Sequence, residues 1–277
     1  MTLTRRAAVA LPLLLALTAS PALAQPHSQR RALQSYVALT YNMQGKPYTA
    51  IDAFAIDHDV IALQEAQKIT TAPSGTITCT NAQTGAAVTI GYFNRTTSGR
   101  PRVPYRLYYF PQAGGANARN LAFASKTAPA DCRIIPSAWM STPPTQVMSR
   151  DVVGLRFGTN TWYWNIHSNA SSLATLNVNR ALQRVRPSST AGGQWALLGD
   201  TNVDLITNPN PGIGLQGAET RYDTGRATQL SGGNLDWLVA SVAVPGYTAR
   251  LCQSPSGSDH YPVEFSTGPR TTTCKTP

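Results

Sequence analysis

The chain has 277 residues, 42% of them hydrophobic, which is enough for one large core, and no linker or internal repeat divides it. Its formal charge of +10 favours polyanionic partners such as nucleic acid or anionic lipid, and says nothing about mechanism. Beyond the N-terminal leader no segment is apolar enough to span a bilayer, so no integral membrane segment is expected.

The leader reads as an export signal. Arg5 and Arg6 precede the apolar stretch Ala7 to Ala19, and Pro21-Ala22-Leu23-Ala24 ends in a small-x-small cleavage pattern. Thr4-Arg5-Arg6 begins a twin-arginine pattern whose remainder is missing, so a Sec-type signal is expected. Cleavage after Ala24 leaves residues 25–277 as one secreted domain.

Short β-branched and aromatic runs then recur between Gly, Pro, Asn and Ser clusters. They predict strands at Tyr36–Asn42, Val60–Gln64, Thr89–Phe93, Tyr105–Phe110, Leu121–Ser125, Val152–Phe157, Trp162–His167, Trp195–Gly199, Trp237–Ala240 and Tyr261–Phe265. Helical spacing is clearest at Ala50–Ile56 and at Thr175–Val185, where Leu176, Val178, Leu182 and Val185 share a face. Residues 209–229, rich in Gly, Pro and Thr, read as a long surface loop. Strands outnumbering helices predicts an α/β sandwich with two central sheets packed face to face and flanking helices.

The four cysteines match no zinc-ligand spacing, and an even count in an exported chain reads as two disulfides with three possible pairings. Cys252 and Cys274 bracket the last strand and the tail, so their bridge would tether the C-terminus. Cys79 with Cys132 is left by subtraction.

Several strands stop at a polar residue that a buried strand would not choose. These residues are Asn42, Glu65, His167 and Asp200 with Asn202; Asp236 and Asp259-His260 stand at the entries of the last two strands. Packed sheets collect loop residues at one edge, so the groups could share a cleft. Glu65 with Asn42 and Asp259 offers hard oxygen ligands suited to Mg²⁺, which keeps several waters. His167 and His260 supply acid–base chemistry near neutral pH, and Asp236 and Asp259 are candidates to fix their tautomers. Asp200 and Asn202 could orient water or a phosphate oxygen. The set suits in-line hydrolysis of a phosphate ester.

In this order "TYNMQG", "DVIALQEA", "RLYYF…GGANARNLAFAS", "SRDVVGLRFGTNTWYWNIHS", "WALLGDTNVD", "SGGNLDWLV" and "GSDHYPVEF" resemble the DNase I-like endonuclease/exonuclease/phosphatase superfamily. Within it the match is closest to the catalytic B subunits of cytolethal distending toxins. The resemblance implies a four-layer α/β sandwich with two central mixed sheets and a phosphodiesterase dependent on Mg²⁺, with Ca²⁺ or Mn²⁺ as substitutes. It implies Glu65 as metal ligand with Asn42 and Asp259 beside it, and His167 and His260 as the imidazole pair. Asp236 would support His167, Asp200 and Asn202 would act on water and the transition state, and Arg119 and Arg150 would grip substrate phosphate. It also implies DNA as substrate and lectin-like delivery subunits as partners.

Departures are local. The toxin subunits read Gly-Asp-Phe-Asn-Arg where this chain has Gly199-Asp-Thr-Asn-Val203, so an aromatic and a basic residue are gone. Arg119 abuts Asn120 without the usual intervening residue, and "RLYYF" carries no carboxylate to support His260. The alternatives to a DNA-cutting enzyme are a phosphatidylinositol trisphosphate phosphatase and a catalytically inactive binding subunit on the same scaffold.

Overall fold

The computed structural model describes residues 32–112, 119–141, 150–189, 193–253, 257–268 and 274–275. The expected leader, residues 1–24, lies outside them. A 3-10 turn at Leu33–Ser35 leads into β1 (Ala38–Asn42), and a second at Tyr48–Ile51 runs into α1 (Asp52–Asp57). Then follow β2 (Val60–Ala66), β3 (Gly75–Asn81), β4 (Ala87–Thr96), β5 (Pro104–Phe110), β6 (Asn120–Ser125), β7 (Asp131–Ile135) and the short α2 (Ser137–Met140). The second half holds β8 (Val152–Phe157), β9 (Thr161–His167), α3 (Ala174–Ser188), β10 (Gln194–Asp200), β11 (Thr220–Tyr222), β12 (Asp236–Ala240), β13 (Thr248–Cys252), β14 (Val263–Ser266) and β15 (Cys274–Lys275). All ten expected strands and both helices are present. β3, β7, β11, β13 and β15 are additional, and β11 lies inside the expected long loop.

The residue pattern predicts two separate sheets, but hydrogen bonding links all fifteen strands in one order, β11-β12-β10-β9-β8-β7-β3-β4-β5-β6-β2-β1-β14-β13-β15. The sheet is mixed: β1–β2, β9–β10 and β3–β7 are parallel, the remaining pairs antiparallel. Its two arms meet at a two-residue seam, Thr80 opposite Arg133 and Asn81 opposite Ile134. The Cys79–Cys132 disulfide crosses that seam, and Cys252–Cys274 ties β13 to β15.

Side-chain alternation along the strands explains the cores, since successive residues face opposite sides of a strand. In β9 and β10, Tyr163, Ala196 and Leu198 join a buried cluster with Ala38, Val60, Phe123 and Phe265 of the other arm. Their neighbours Trp162, Trp164, Trp195 and Leu197 turn the opposite way, onto α3. That helix presents Val178, Ala181, Leu182 and Val185, an i, i+3, i+4, i+7 stripe whose fully buried Val and Leu side chains each contribute roughly 1.5–3 kcal/mol. A third cluster packs Ile51 and Phe54 of the first helical turns onto Leu39, Ile61 and Leu63. Among the described residues no helix is long and apolar enough to cross a membrane.

Candidate active site

The polar strand ends converge. His167 ends β9, Asp200 ends β10 and Asp236 opens β12, and all three stand at one register level: Asp200 is opposite His167 on one side and Asp236 on the other. From the second arm, Asn42 ends β1 opposite Gln64 of β2. Gly199 lets this happen. Its φ is +151°, and a Cβ there would lie 1.9 Å from the Ile166 carbonyl oxygen, so only glycine allows β10 this close to β9.

Asp200 is the hub. One carboxylate oxygen, Oδ2, accepts from Asn42 Nδ2 at 2.8 Å, and lies 3.4 Å from His167 Nε2 and 3.8 Å from His260 Nε2. Its Oδ1 accepts the Asn202 backbone N–H at 3.0 Å. Burial pushes Asp200 up, but the hydrogen bond and charge of His167, then the charge of His260 and the amide of Asn42, outweigh it and hold the carboxyl at about 2. The carboxylate therefore stays ionised between two imidazoles. Glu65 lies alongside, with Oε1 2.8 Å from Arg119 Nη1, 3.4 Å from Asn42 Nδ2 and 3.6 Å from His167 Nε2.

Asp236 supports His260 and not His167. Its Oδ2 accepts from His260 Nδ1 at 2.8 Å, with both groups buried. Two strand spacings, roughly 10 Å of backbone, separate β12 from β9, with β10 between them. His260 instead arrives from a loop that an isolated bridge to Gln229 holds over β12. This answers the question left by "RLYYF", which lacks a carboxylate for His260. Burial opposes charge on the His260 ring, yet Asp236, first by its charge and then by its hydrogen bond, with Asp200 and Asp259 behind it, raises the ring to about 9.

The remaining expected residues lie around this centre. Arg150 Nη1 donates to the carbonyls of His167 and Ser168 at 3.2 and 3.0 Å. Burial, then nearby Arg119, lowers its pKa against the pull of Glu65 and Asp200. Asn202 Nδ2 donates to Ser168 O at 2.9 Å. Asp259 faces His260 Nε2 at 3.7 Å, and its Oδ1 is buried without a hydrogen-bond donor. The carboxylate of Glu65, the amide oxygen of Asn42 and the Asp259 oxygen that accepts no hydrogen bond are hard oxygen donors of the kind a divalent cation takes. Asp200, Asp236 and His260, whose ligand atoms lie within 4.8 Å of one another, form a second group able to hold an ion.

The Endonuclease/Exonuclease/phosphatase family pattern matches residues 39–260, a span that contains every group of this cleft. The chain belongs to this family. Its fold is α/β and DNase I-like, as in CdtB, the biologically active subunit of cytolethal distending toxin, at 23% identity and TM-score 0.65 over 84% of this chain and 98% of that one. Cytolethal distending toxins from Actinobacillus actinomycetemcomitans and Haemophilus ducreyi match at 22% identity and TM-score 0.60, each over 84% of this chain and 98% of theirs. None of the curated proteins searched matches the sequence.

Backbone strain in this family member gathers at the cleft. Gln44, Glu65 and Asn202 are its non-glycine residues with positive φ among those described, at 47°, 47° and 51°. At Glu65 the β2–β6 register shifts between Leu63 and Ala66, a bulge that turns the carboxylate into the cleft. Asn165 of β9 holds the bulge from the other arm: its Nδ2 donates to Leu63 O and Ala122 O, both at 3.0 Å. Gln64 Nε2 donates in turn to Asn165 Oδ1, and Thr40 Oγ1 donates to Gln64 Oε1. Thr228 accepts the N–H groups of Leu235 and Asp236, and Ser258 joins Asn42 O to His260 N. Sequence reasoning missed these supports. The one available signal was an amide, Asn165, inside the apolar run of β9.

Proposed function

We propose that residues 25–277 form one secreted domain, a four-layer sandwich whose two sheet arms pack face to face, and that it is a Mg²⁺-dependent phosphodiesterase cutting DNA. The observation that carries this reading is the ionised, buried Asp200 carboxylate between His167 and His260, with Glu65 at its edge. Glu65 and Asn42 would hold the divalent ion, with Asp259 as a further carboxylate. When bound, the ion neutralises charge on the scissile phosphate. His260, kept protonated by Asp236, donates to a phosphoryl oxygen or to the departing ester oxygen. Asp200, kept ionised, orients the attacking water, and His167, whose Nε2 lies 3.4 Å from its Oδ2, accepts the water's proton. Asn202 holds the Asp200 carboxylate in place, and Arg119 and Arg150 bind the neighbouring phosphate oxygens.

Nicking of supercoiled plasmid tests this. Cutting is expected with Mg²⁺ and not with chelator, and His167→Ala or His260→Ala should each lower the rate by about 10²–10⁴-fold. Nicking without metal, or unchanged nicking in both variants, refutes the mechanism. One observation supports a second substrate, phosphatidylinositol trisphosphate. In the loop after β10, Thr201 turns its hydroxyl onto Leu235 O, and Val203 is buried with its carbonyl accepting from the Trp237 indole. That loop therefore presents neither ring nor cation to a DNA duplex. Phosphate release from the lipid, measured beside nicking on one preparation, separates the two substrates. If the protein acts as a toxin subunit, the 209–229 segment and the basic surface are where lectin-like delivery subunits would bind.

A further inference from the structure

Away from the catalytic cleft, His58, Glu264 and Cys274 meet in the core with ligand atoms that all lie within 4.8 Å of one another. Strand register explains the meeting. Glu264 is opposite Arg250 and Cys274 is opposite Cys252, and Cys252 follows Arg250 by one full pleat, so all four share a face of the sheet. α1 covers that face, because Leu39, opposite Glu264 in β1, packs with Ile51 and Phe54 in one cluster with both cysteines. His58, the residue that ends α1, closes the group. It precedes β2, whereas Glu65 stands near the far end of that strand, roughly 20 Å along it.

The two central atoms lack hydrogen bonds. His58 Nδ1 lies 2.9 Å from the Phe54 carbonyl oxygen, which only accepts, so Nδ1 carries a proton and donates it. In the neutral ring Nε2 is therefore the nitrogen with the lone pair. It lies 3.3 Å from Glu264 Oε2, and both atoms are buried without a hydrogen-bond partner. The other carboxylate oxygen, Oε1, accepts from Ser266 Oγ at 2.8 Å and from Arg250 Nη1 at 3.2 Å. A lone pair facing a carboxylate oxygen in the core calls for a cation, and with the disulfide closed a proton on Nε2 is that cation. Their separation is also that of two ligands on a tetrahedral Zn²⁺, roughly 3–4 Å for bonds of about 2.0–2.3 Å.

We propose that reduction of the Cys252–Cys274 disulfide creates a structural Zn²⁺ site formed by His58 Nε2, Glu264 Oε2 and the two cysteine sulfurs. Thiolates, not disulfide sulfurs, are the form that binds such metals. A dithiol opens the bridge by exchange: its own two thiols are oxidised to a disulfide, and Cys252 and Cys274 become thiols. Zn²⁺ then bonds to both sulfurs, to Nε2 and to Oε2, displacing the two thiol protons and the Nε2 proton. Two thiolates and one carboxylate leave a single negative charge on the complex, which the Arg250 guanidinium beside Glu264 balances. Access comes through β15, a two-residue strand at the edge of the sheet. The ion restores the tie between β13 and β15 that reduction removes, so the C-terminal edge stays stapled in a reducing environment. The 22-residue separation of the cysteines, with His58 remote from both, hides the group from sequence spacing.

Co²⁺, a spectroscopic substitute for Zn²⁺, tests the site in the full chain, reduced by a dithiol and then freed of it without oxygen. The reduced protein should show a thiolate-to-cobalt charge-transfer band that saturates at about one ion per chain and that Zn²⁺ bleaches. The oxidised protein should show none. Ions bound in the catalytic cleft do not contribute, since all four cysteines lie in the two bridges outside it. Cys79→Ala/Cys132→Ala should keep the band, and Cys252→Ser/Cys274→Ser should lose it. His58→Gln and Glu264→Gln leave both thiols in place, and each should weaken Zn²⁺ binding by at least about 10–100-fold, the loss that altering even an outer partner of a metal ligand causes. Absence of the band from the reduced parent overturns the proposal, and that measurement needs no variant to fold. So does a Zn²⁺ affinity unchanged in both His58→Gln and Glu264→Gln, because the two thiols alone would then be the chelator.

Discussion

Replacing Asp236 by Asn keeps a hydrogen-bond acceptor against His260 Nδ1 and removes its charge. Burial acts against the charged ring, and Asp236 is the largest influence opposing it, holding the ring at about 9 against a reference of 6.5. That gap corresponds to about 3 kcal/mol of preferential stabilisation of the imidazolium in the folded state. The folded pKa is the raised one, so this stability is fully present below about pH 6.5 and is lost as pH rises through about 9. In Asp236→Asn the buried ring has lost its main partner and titrates lower, so the loss over that window should largely vanish. Burial also pushes the Asp236 carboxyl up, which means that above about pH 9 the parent holds a carboxylate against a neutral ring. There the variant should equal or exceed the parent in stability. Urea unfolding between about pH 6 and pH 10 measures both curves, and the alkaline limb of the nicking rate should move acidward in parallel. Stability curves of the same shape for parent and variant would refute the ion-pair assignment.

Three further changes separate the supports of the fold from those of the site. Asn165→Leu leaves Leu63 O, Ala122 O and the Gln64 amide unpaired in the core, which should cost about 2–4 kcal/mol and weaken divalent-metal binding through the Glu65 bulge, read by urea unfolding and metal titration. Cys79→Ala/Cys132→Ala opens a 53-residue separation and Cys252→Ala/Cys274→Ala a 22-residue one, so loop entropy predicts losses of about 4 and about 3 kcal/mol in the same assay; a larger loss from the second pair would contradict the entropic ordering. Gly199→Ala drives a methyl group into Ile166 O and should leave little folded protein by circular dichroism.

The cleft was legible because its residues break a strong pattern. Asn42, Glu65, His167 and Asp200 each interrupt an apolar run at its end, and a strand end beside a shared edge is where polar groups can gather. What stayed hidden depends on neighbours distant in sequence. Asp236 precedes a strand in the way a His167 partner would, and only the intervening β10 assigns it to His260. β3 has no apolar run: Thr76, Thr78 and Thr80 alternate with Ile77 and Cys79, and only Cys79 is buried, so no hydrophobic signal announced the strand that joins the two arms. β15 is two residues long and exists through its pairing with β13.

The strained residues explain why the site needs both arms. A non-glycine residue at positive φ costs of order 1–3 kcal/mol unless its surroundings fix it. Gln44 is fixed by Asn42 Oδ1, which accepts its N–H, and by the Asp259 N–H donated to its own side chain, which ties β1 to the loop before β14. Glu65 is fixed by the Gly45 N–H on its carbonyl, by Arg119 on its carboxylate and by Asn165 beneath the bulge. Asn202 bridges β10 to Ser168 beyond β9. Asn165 therefore stabilises Glu65 only when β9 is packed on β2, and Asn42 meets Asp200 only when β1 reaches β10. A fragment holding one arm would retain strand ends with the right residues but would relax the positive-φ positions and lose the cleft. Catalytic competence should accordingly appear together with the docking of the two arms, and not before it.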